Sequence, residues 1–474
     1  MKITIPGILR EFAAVFAQNG KKAYLVGGAV RDMVLGMAAS DYDVATDATP
    51  QEVSRMFRTV IPTGIKHGTV TVRFKGRSIE VTVFRTEGVY SDGRRPDAIS
   101  YAPTIEADLS RRDFTMNAMA LELPSGALID PYGGRDSLKQ KYIRCVGRAA
   151  ERFLEDGLRP LRAVRFSARL GFNLDSELLD AIPAALSITA KVSAERVRLE
   201  LEKTVMSRMP CPAFLVMEQT GLLKLILPEL AACRGVEQRG FHTFDVLDHS
   251  LYALEWAAAN DYPLAVRLAA LFHDIGKPRC ARFAPAAPSQ DGLPEGGSNE
   301  GSPGSRLQRG GFWTFYNHEK ESERLCRALM ERLRWPNAVM QETAHLVKEH
   351  MFHYEPAWND GAVRRFIARA GEYSIEPLFM LRRADTYGFA RRPPPPDLLL
   401  PFSERIEQTL AKSRALSLKD LAINGNDLLT LGIHNGRRIG ILLCALLDAV
   451  MTDPSLNTRE KLLEIAAKME GLHG

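Results

Sequence analysis

The stretch from Leu25 to Asp43, LVGGAVRDMVLGMAASDYD, restricts the possible folds more than any other part of the chain. A short apolar run from Ala23 to Val26 ends in Gly27-Gly28 and a helix-compatible run starts at Ala29, so a strand must turn into a helix across two residues that lack side chains. Backbone N–H groups at such a turn approach phosphate oxygens closely, the helix N-terminus adds partial positive charge, and Arg31 offers a fork of donors. Asp41 and Asp43 follow at i and i+2, which on a strand directs both carboxylates to one face, where they can share a hard cation such as Mg²⁺. Glu80, within RSIEVTVFR, lies on a second β-rich run that can pair alongside and add a third carboxylate for in-line phosphoryl transfer. The competing reading of Asp41, Asp43 and Asp47 is ordinary turn chemistry; the glycine turn and the later motifs decide against it.

Gly68–Phe74, Ile79–Phe84 and Ala118–Leu123 are further short apolar or alternating runs, so residues 1–145 read as an α/β head. From Phe153 onward apolar residues recur at three- and four-residue spacing, and no strand is expected before the C-terminus. The fold class is therefore α+β: the head, a helical neck over 146–240, a third helical domain over 241–390 and a helical tail over 397–474. Within the third domain Phe283–Gly311 has 15 Gly, Ser or Pro among 29 residues and reads as a flexible insertion without chemistry. Arg391–Asp397, RRPPPPD, is a stiff connector. With 45% apolar and 25% charged residues the chain is neither disordered nor fibrous. No run approaches the ~18 apolar residues of a membrane span, and a cytoplasmic location is expected. Six scattered cysteines without a CxxC pair indicate neither a disulfide framework nor a thiolate zinc site. A net charge of +5 does not announce a nucleic-acid partner, so the placement of the arginines carries the argument.

Arg159, Arg162, Arg165 and Arg169 are spaced to form one stripe over about a third of a helix circumference. Asp156, at i−3 from Arg159, sits on its edge and accepts hydrogen bonds where Arg159 donates them. Cytosine and adenine both present an exocyclic amino donor beside a ring-nitrogen acceptor, so one Asp/Arg pair can satisfy either; guanine and uracil present the reverse order. The bland alternative is a solvated basic face.

Gly27, Gly28, Arg31, Asp41 and Asp43, followed by DLSRRDFTMNAMA (Asp108–Ala120), DPYGGRD (Asp130–Asp136) and FLEDGLRPLRAVRFSARLGF (Phe153–Phe172), resemble the nucleotidyltransferase superfamily of polymerase beta, in its tRNA nucleotidyltransferase and bacterial poly(A) polymerase branch. The resemblance runs through about the first 240 residues. It implies a polymerase-beta-like head and addition of C, C and A to a tRNA 3′ end from CTP and ATP, with Mg²⁺ held by Asp41, Asp43 and Glu80. It further implies that Glu155 to Arg159, an EDxxR motif, acts as a protein template, that Arg162 and Arg165 contact triphosphate or base, and that Asn117 with either Arg111 or Arg112 contacts sugar or phosphates. Arg85–Tyr101 resembles the family's flexible loop, whose presence favours the final adenosine. An A-adding enzyme and a poly(A) polymerase stay open within the same class. Gly157, where relatives more often carry proline, predicts a looser hold on the base-reading residues beside it.

Seven of the ten histidines lie between 242 and 353. LFHDIGKP (Leu271–Pro278), with His249 upstream and Asp385 far downstream, resembles the HD superfamily of metal-dependent phosphohydrolases. The implied ligands are His249, His273, Asp274 and Asp385, with His318 and His350 as further candidates, a set suited to Mn²⁺, Ni²⁺, Fe²⁺ or Mg²⁺. A working phosphohydrolase and an inherited fold stand as equal readings, and a protein that is chiefly such a hydrolase is the alternative from a different class. In the tail, glycines 425, 432, 436 and 440 with Arg437 and Arg438 read either as an RNA phosphate grip or as helix caps. Nothing in the sequence sets an oligomeric state.

Overall fold

A computed structural model describes residues 3–39, 41–65, 68–87, 99–238, 243–285, 311–412 and 417–471. Most of the loop expected at Arg85–Tyr101 and of the insertion expected at Phe283–Gly311 lies outside these residues, as do His67, His242 and His473. The chain divides into two compact units, residues 1–231 with 331–335 and residues 232–330 with 336–474.

The first unit opens with α1 (Gly7–Gln18), β1 (Ala23–Val26), α2 (Gly28–Val34), β2 (Tyr42–Thr46), α3 (Pro50–Met56), β3 (Val60–Gly64), β4 (Thr69–Phe74), β5 (Arg77–Val83), β6 (Arg85–Glu87), β7 (Ile99–Tyr101), α4 (Ile105–Ser110), β8 (Ala120–Leu123), β9 (Leu128–Ile129), α5 (Gly134–Gln140) and β10 (Tyr142–Ile143). Seven strands form one mixed sheet in the order β3-β4-β5-β2-β1-β8-β9, in which β2 and β5 run parallel. All four β1 residues are buried, as expected at the middle of a sheet covered on both faces. On one face Tyr24, Val26 and Ala45 pack against Ile105 and Leu109 of α4. Gly27 links β1 to α2 at φ 70°, ψ −136°, a conformation that side chains avoid, and this is why the turn needs glycine.

A helical layer continues the unit: α6 (Ala149–Glu155), α7 (Arg159–Leu170), β11 (Asn173–Leu174), α8 (Ser176–Thr189), α9 (Ala194–Val205), α10 (Pro210–Gln219), α11 (Leu222–Ile226) and α12 (Pro228–Ala231). Helix α7 packs on α9 and α10, and α6 on α8. The second unit holds α13 (Val246–Ala259), α14 (Leu264–Phe272), α15 (Lys277–Cys280), β12 (Arg282–Pro285), β13 (Gly311–Thr314), α16 (His318–Arg332), α17 (Asn337–Glu349), α18 (Asp360–Ala370), α19 (Ile375–Ala390), α20 (Leu400–Lys412), α21 (Gly425–Thr430), α22 (Gly436–Thr452) and α23 (Arg459–Met469). Among the described residues no helix is long and apolar enough to cross a membrane.

Three expectations need correction. Strands do occur after Phe153: β11 pairs with β10, and β12 pairs antiparallel with β13 across the ends of the insertion. A two-residue strand carries no readable period, and the β12–β13 pair is assembled from segments far apart in sequence. Gly440 is no turn; it lies inside α22, whose N-terminus is capped by Asn435 Oδ1 accepting from Arg438 N at 3.2 Å. Arg438 pairs with Glu470, so this element caps and ties helices. The tail also does not stand alone, because α18 packs on both α20 and α22 and Arg364 donates to Met451 O at 2.8 Å.

Candidate functional site

Parallel pairing of β2 with β5 sets Asp43 beside Glu80 in register. Both line a cavity of about 620 Å³. Burial pushes the Asp43 carboxyl up to about 6; neighbouring Glu80 and Asp41 add to the rise and Arg112 opposes it. Carboxylates that raise one another's proton affinity fit a divalent cation, which removes the repulsion. Asp41 immediately precedes β2 and is exposed, rather than lying within the strand. A Cβ on Gly27 would stand 3.0 Å from Arg112 Nη1 and 3.7 Å from Asp43 Oδ2, so the bare turn is what admits guanidinium and carboxylate side by side.

Gly27, Gly28, Arg31, Arg111, Arg112, Asn117, Asp156, Arg159, Arg162 and Arg165 line the same cavity, which thus joins the sheet's carboxylates to Asp156 and the arginines of α7. The arginine stripe is real but is no solvated face: Arg159 and Arg165 are buried. Each guanidinium has a carboxylate partner, Arg159 with Glu155, Arg162 with Asp113 at 2.6 Å, Arg165 with Glu200 and Arg169 with Asp32 at 3.1 Å. Phe166 lies among them, its ring centroid 3.9 Å from the Arg165 guanidinium, 5.2 Å from that of Arg31 and 5.6 Å from that of Arg162. The ring's negative face and the paired carboxylates are what permit so many cations to converge. Eight arginines and Lys203 face four carboxylates around the cavity, a balance that favours a polyanion.

Three residues sit differently from their sequence reading. Arg31 is buried and committed, donating to Asp32 Oδ1 and to Asn117 Oδ1, each at 2.8 Å, so it sets the position of Asn117 instead of offering a fork to a phosphate. Asp156 is not on the arginine helix; it ends α6 in extended backbone, its Oδ1 accepts from Leu158 N at 3.0 Å and its Oδ2 from Arg196 Nη2 at 2.9 Å. Gly157 is not loose: a Cβ there would meet Ile188 O at 2.6 Å and Thr189 N at 2.8 Å, the backbone at the end of α8. Arg111 and Arg112 both lean on Asp108, at 2.8 and 3.4 Å, and it is Arg112 that reaches Gly27 and Asp43.

The counter-charges Asp32, Asp108 and Glu200, the ring of Phe166, and Arg85, Arg196 and Lys203 were not assigned from sequence. Asp108 lies three and four positions from Arg111 and Arg112, and Asp32 one from Arg31, a spacing that could have shown them, whereas the pairing of Asp32 with Arg169 spans 137 residues. Glu200 and Arg196 come from α9, 35 and 40 residues from their partners, and carry no local signal.

In the second unit, His249 of α13, His273 and Asp274 at the end of α14, His318 at the start of α16, His350 after α17 and Asp385 of α19 converge, all buried. Two sets of three ligand atoms, His249/His273/Asp385 and Asp274/His318/His350, each lie within 4.8 Å of one another. Asp274 faces both: Oδ2 is 3.2 Å from His273 Nε2 and Oδ1 is 3.2 Å from His318 Nε2. Nδ1 of His273, His318 and His350 lies 2.9, 2.8 and 2.7 Å from the carbonyls of Ala270, Phe315 and Val347, which turns each Nε2 inward in the manner of ligating imidazoles. Burial pushes His350 down to about 3, keeping it neutral as a ligand must be. Lys277 Nζ stands 2.6 Å from Asp274 Oδ2. A Cβ on Gly388 would collide with His249 Nδ1 at 2.8 Å, so α19 approaches α13 only through glycine. Both sets are candidate metal sites, and His318 and His350 join the four ligands first singled out.

The poly A polymerase head domain matches residues 23–144, the probable RNA and SrmB-binding site of polymerase A matches 171–234, and the HD domain matches 242–388. The chain is 45% identical over 226 residues to the CCA-adding enzyme of Geobacillus kaustophilus, covering 48% of this chain and 54% of that one. It is 45% identical over 270 residues to that of Geobacillus thermodenitrificans, covering 57% and 62%. The matched stretch thus spans little more than half the length of these relatives. The crystal structure of the Bacillus stearothermophilus CCA-adding enzyme in complex with CTP superposes with a TM-score of 0.70 at 28% identity, over 98% of this chain and 100% of that one. The head-domain match falls on the carboxylate sheet and the HD match on the histidine cluster, so each candidate site lies in a segment that resembles a known domain.

Proposed function

We propose that the chain extends tRNA 3′ ends with C, C and A, using CTP and ATP in the cytoplasm, releasing pyrophosphate and needing no nucleic-acid template. The observation that carries this reading is one cavity holding the Asp43/Glu80 pair, a surplus of arginines and the Asp156/Arg159 pair together. Asp43 and Glu80, with Asp41 at the strand entrance, would hold Mg²⁺, which supplies charge neutralisation on the triphosphate and lowers the proton affinity of the 3′ hydroxyl. Arg112, beside the Gly27 turn, and the α7 guanidiniums orient the phosphates. Asp156 accepts from the exocyclic amino group of C or A and Arg159 donates to the ring nitrogen beside it, while G and U leave both unsatisfied. Arg196 and Leu158 N fix the Asp156 carboxylate for that task and leave lone pairs over, since a carboxylate offers about four.

The assay incubates purified protein and Mg²⁺ with tRNAs ending before CCA, after C and after CC. Growth of the first by three nucleotides with termination supports the proposal; extension of only the CC-ended tRNA makes it an A-adding enzyme, and long tails a poly(A) polymerase. A second reading, favoured by the two buried ligand sets that Asp274 stands between, gives the HD domain a divalent transition metal and hydrolysis of phosphate esters at RNA ends. Asp41→Ala with Asp43→Ala removes extension alone under these readings, and His273→Ala with Asp274→Ala removes hydrolysis alone.

A further inference from the structure

A second cavity, of about 440 Å³, opens beside the histidine cluster. Its size lies in the range of small-molecule sites. Trp313, Phe315 and Tyr316 supply flat apolar wall, and Gln238, Lys277 and His318 supply a polar end. The aromatics are not core: Trp313 is 43% and Tyr316 78% exposed, whereas Phe352, Phe366, Phe379 and Phe402 of the same unit are buried. Phe283 meets Trp313 edge to face at 5.4 Å across the β12–β13 pair, which holds the indole in one orientation. At the other end, Lys277 is buried and uses two of its three donors on Asp274 Oδ2 and Gln238 Oε1, both at 2.6 Å. His318 belongs both to this wall and to the Asp274/His318/His350 set.

An exposed π surface one pocket-length from an ammonium and a ligating imidazole matches a ligand with a planar base at one end and an anionic phosphate at the other. Bases stack on aromatic side chains with little regard to sequence, and the remaining Lys277 donor suits a phosphate oxygen. We propose that this cavity is a base-stacking subsite that seats a nucleoside monophosphate, free or at the end of an RNA strand, with its base against Trp313 and Tyr316 and its phosphate toward Lys277 and His318. The proposal deepens the hydrolytic reading of the HD domain and rests on it for the direction in which the phosphate points. It assigns a role to the segment that follows the insertion.

The test uses the full chain. Binding of adenosine 3′-monophosphate is followed by tryptophan fluorescence and equilibrium dialysis, with ribose 5-phosphate as the base-free control and a short RNA ending in a 3′-phosphate as competitor. Trp313→Leu and Tyr316→Ala are each expected to raise the dissociation constant at least ten-fold, Trp313→Phe to restore most of it, and ribose 5-phosphate binding to stay unchanged. Unchanged thermal unfolding and tRNA extension in these variants verify the fold. Competition by the RNA identifies a strand end as ligand; its failure leaves the free nucleotide. Equal binding by wild type and Trp313→Leu, or no preference over ribose 5-phosphate, overturns the subsite. The hydrolytic reading fails separately: Mn²⁺-loaded protein that binds the nucleotide through Trp313 yet releases no phosphate from it or from p-nitrophenyl phosphate keeps the subsite and loses the hydrolase.

Discussion

Gly157→Pro sets two readings of one residue against each other. Resemblance to relatives that carry proline there makes the change look favourable, and a proline that fits its site stabilises by about 0.4–1 kcal/mol through the unfolded chain. The packing gives the opposite sign. A Cβ at 157 would lie 2.6, 2.7 and 2.8 Å from Ile188 O, Ile188 C and Thr189 N, all backbone of α8 and none a side chain that could swing away. Forcing carbon into such a contact costs about 1–3 kcal/mol, which for a unit of this size lowers Tm by roughly 3–9 °C at ~3 °C per kcal/mol. The strain falls beside Asp156, whose carboxylate is held by Leu158 N and Arg196. A displaced Asp156 loses discrimination, so misincorporation of UTP and GTP should rise about ten-fold, equivalent to ~1.4 kcal/mol. Differential scanning calorimetry and single-nucleotide extension of a CC-ended tRNA read the two effects, and Gly157→Ala separates the added carbon from the proline ring. A variant as stable and as selective as wild type, or more stable, refutes the packing argument. Lower Tm with full selectivity would show that Arg196 alone fixes Asp156.

Glu200→Gln leaves Arg165 buried without its counter-charge and should destabilise by about 3–5 kcal/mol in urea unfolding; a loss under about 1 kcal/mol would show that Arg162 and Asp113 absorb the change. The Asp43 carboxyl, raised to about 6, binds a proton more readily than in the unfolded chain, so its contribution to stability is greatest in acid and is lost as pH rises through about 6. Function runs the other way: protons compete with Mg²⁺ for Asp43, and the Mg²⁺ concentration giving half-maximal extension should rise toward ten-fold per pH unit below 6, whereas a pH-independent requirement would remove Asp43 from the cation site. Mn²⁺ added to chelator-treated protein should raise the unfolding temperature of the second unit, an effect absent in His273→Ala/Asp274→Ala while tRNA extension persists; stabilisation retained by the double variant would place the metal elsewhere.

The local chemistry was legible in the chain. The strand, glycine turn and helix at Ala23–Val34, the β-rich run around Glu80 and the arginine spacing of α7 are all short-range patterns set by side-chain period and backbone freedom, and they stand where periodicity puts them, whereas of the DxD pair Asp43 lies on β2 and Asp41 just before it. The HD dipeptide and its distant His249 and Asp385 were likewise visible as residue types. What the tertiary structure decided is which of these groups meet and what holds them. Parallel register alone puts Glu80 opposite Asp43, and α9 alone delivers Glu200 and Arg196 to residues 35 and 40 positions away. The two ligand sets stand on either side of Asp274 only because five helices converge there. The break at Asp156–Leu158 shows the limit most clearly: a continuous helical spacing runs through it, yet the contact of Gly157 with the end of α8 sets the backbone there. Periodicity reports which face of an element is apolar, whereas ion pairing, close approach and register depend on neighbours that the linear order does not name.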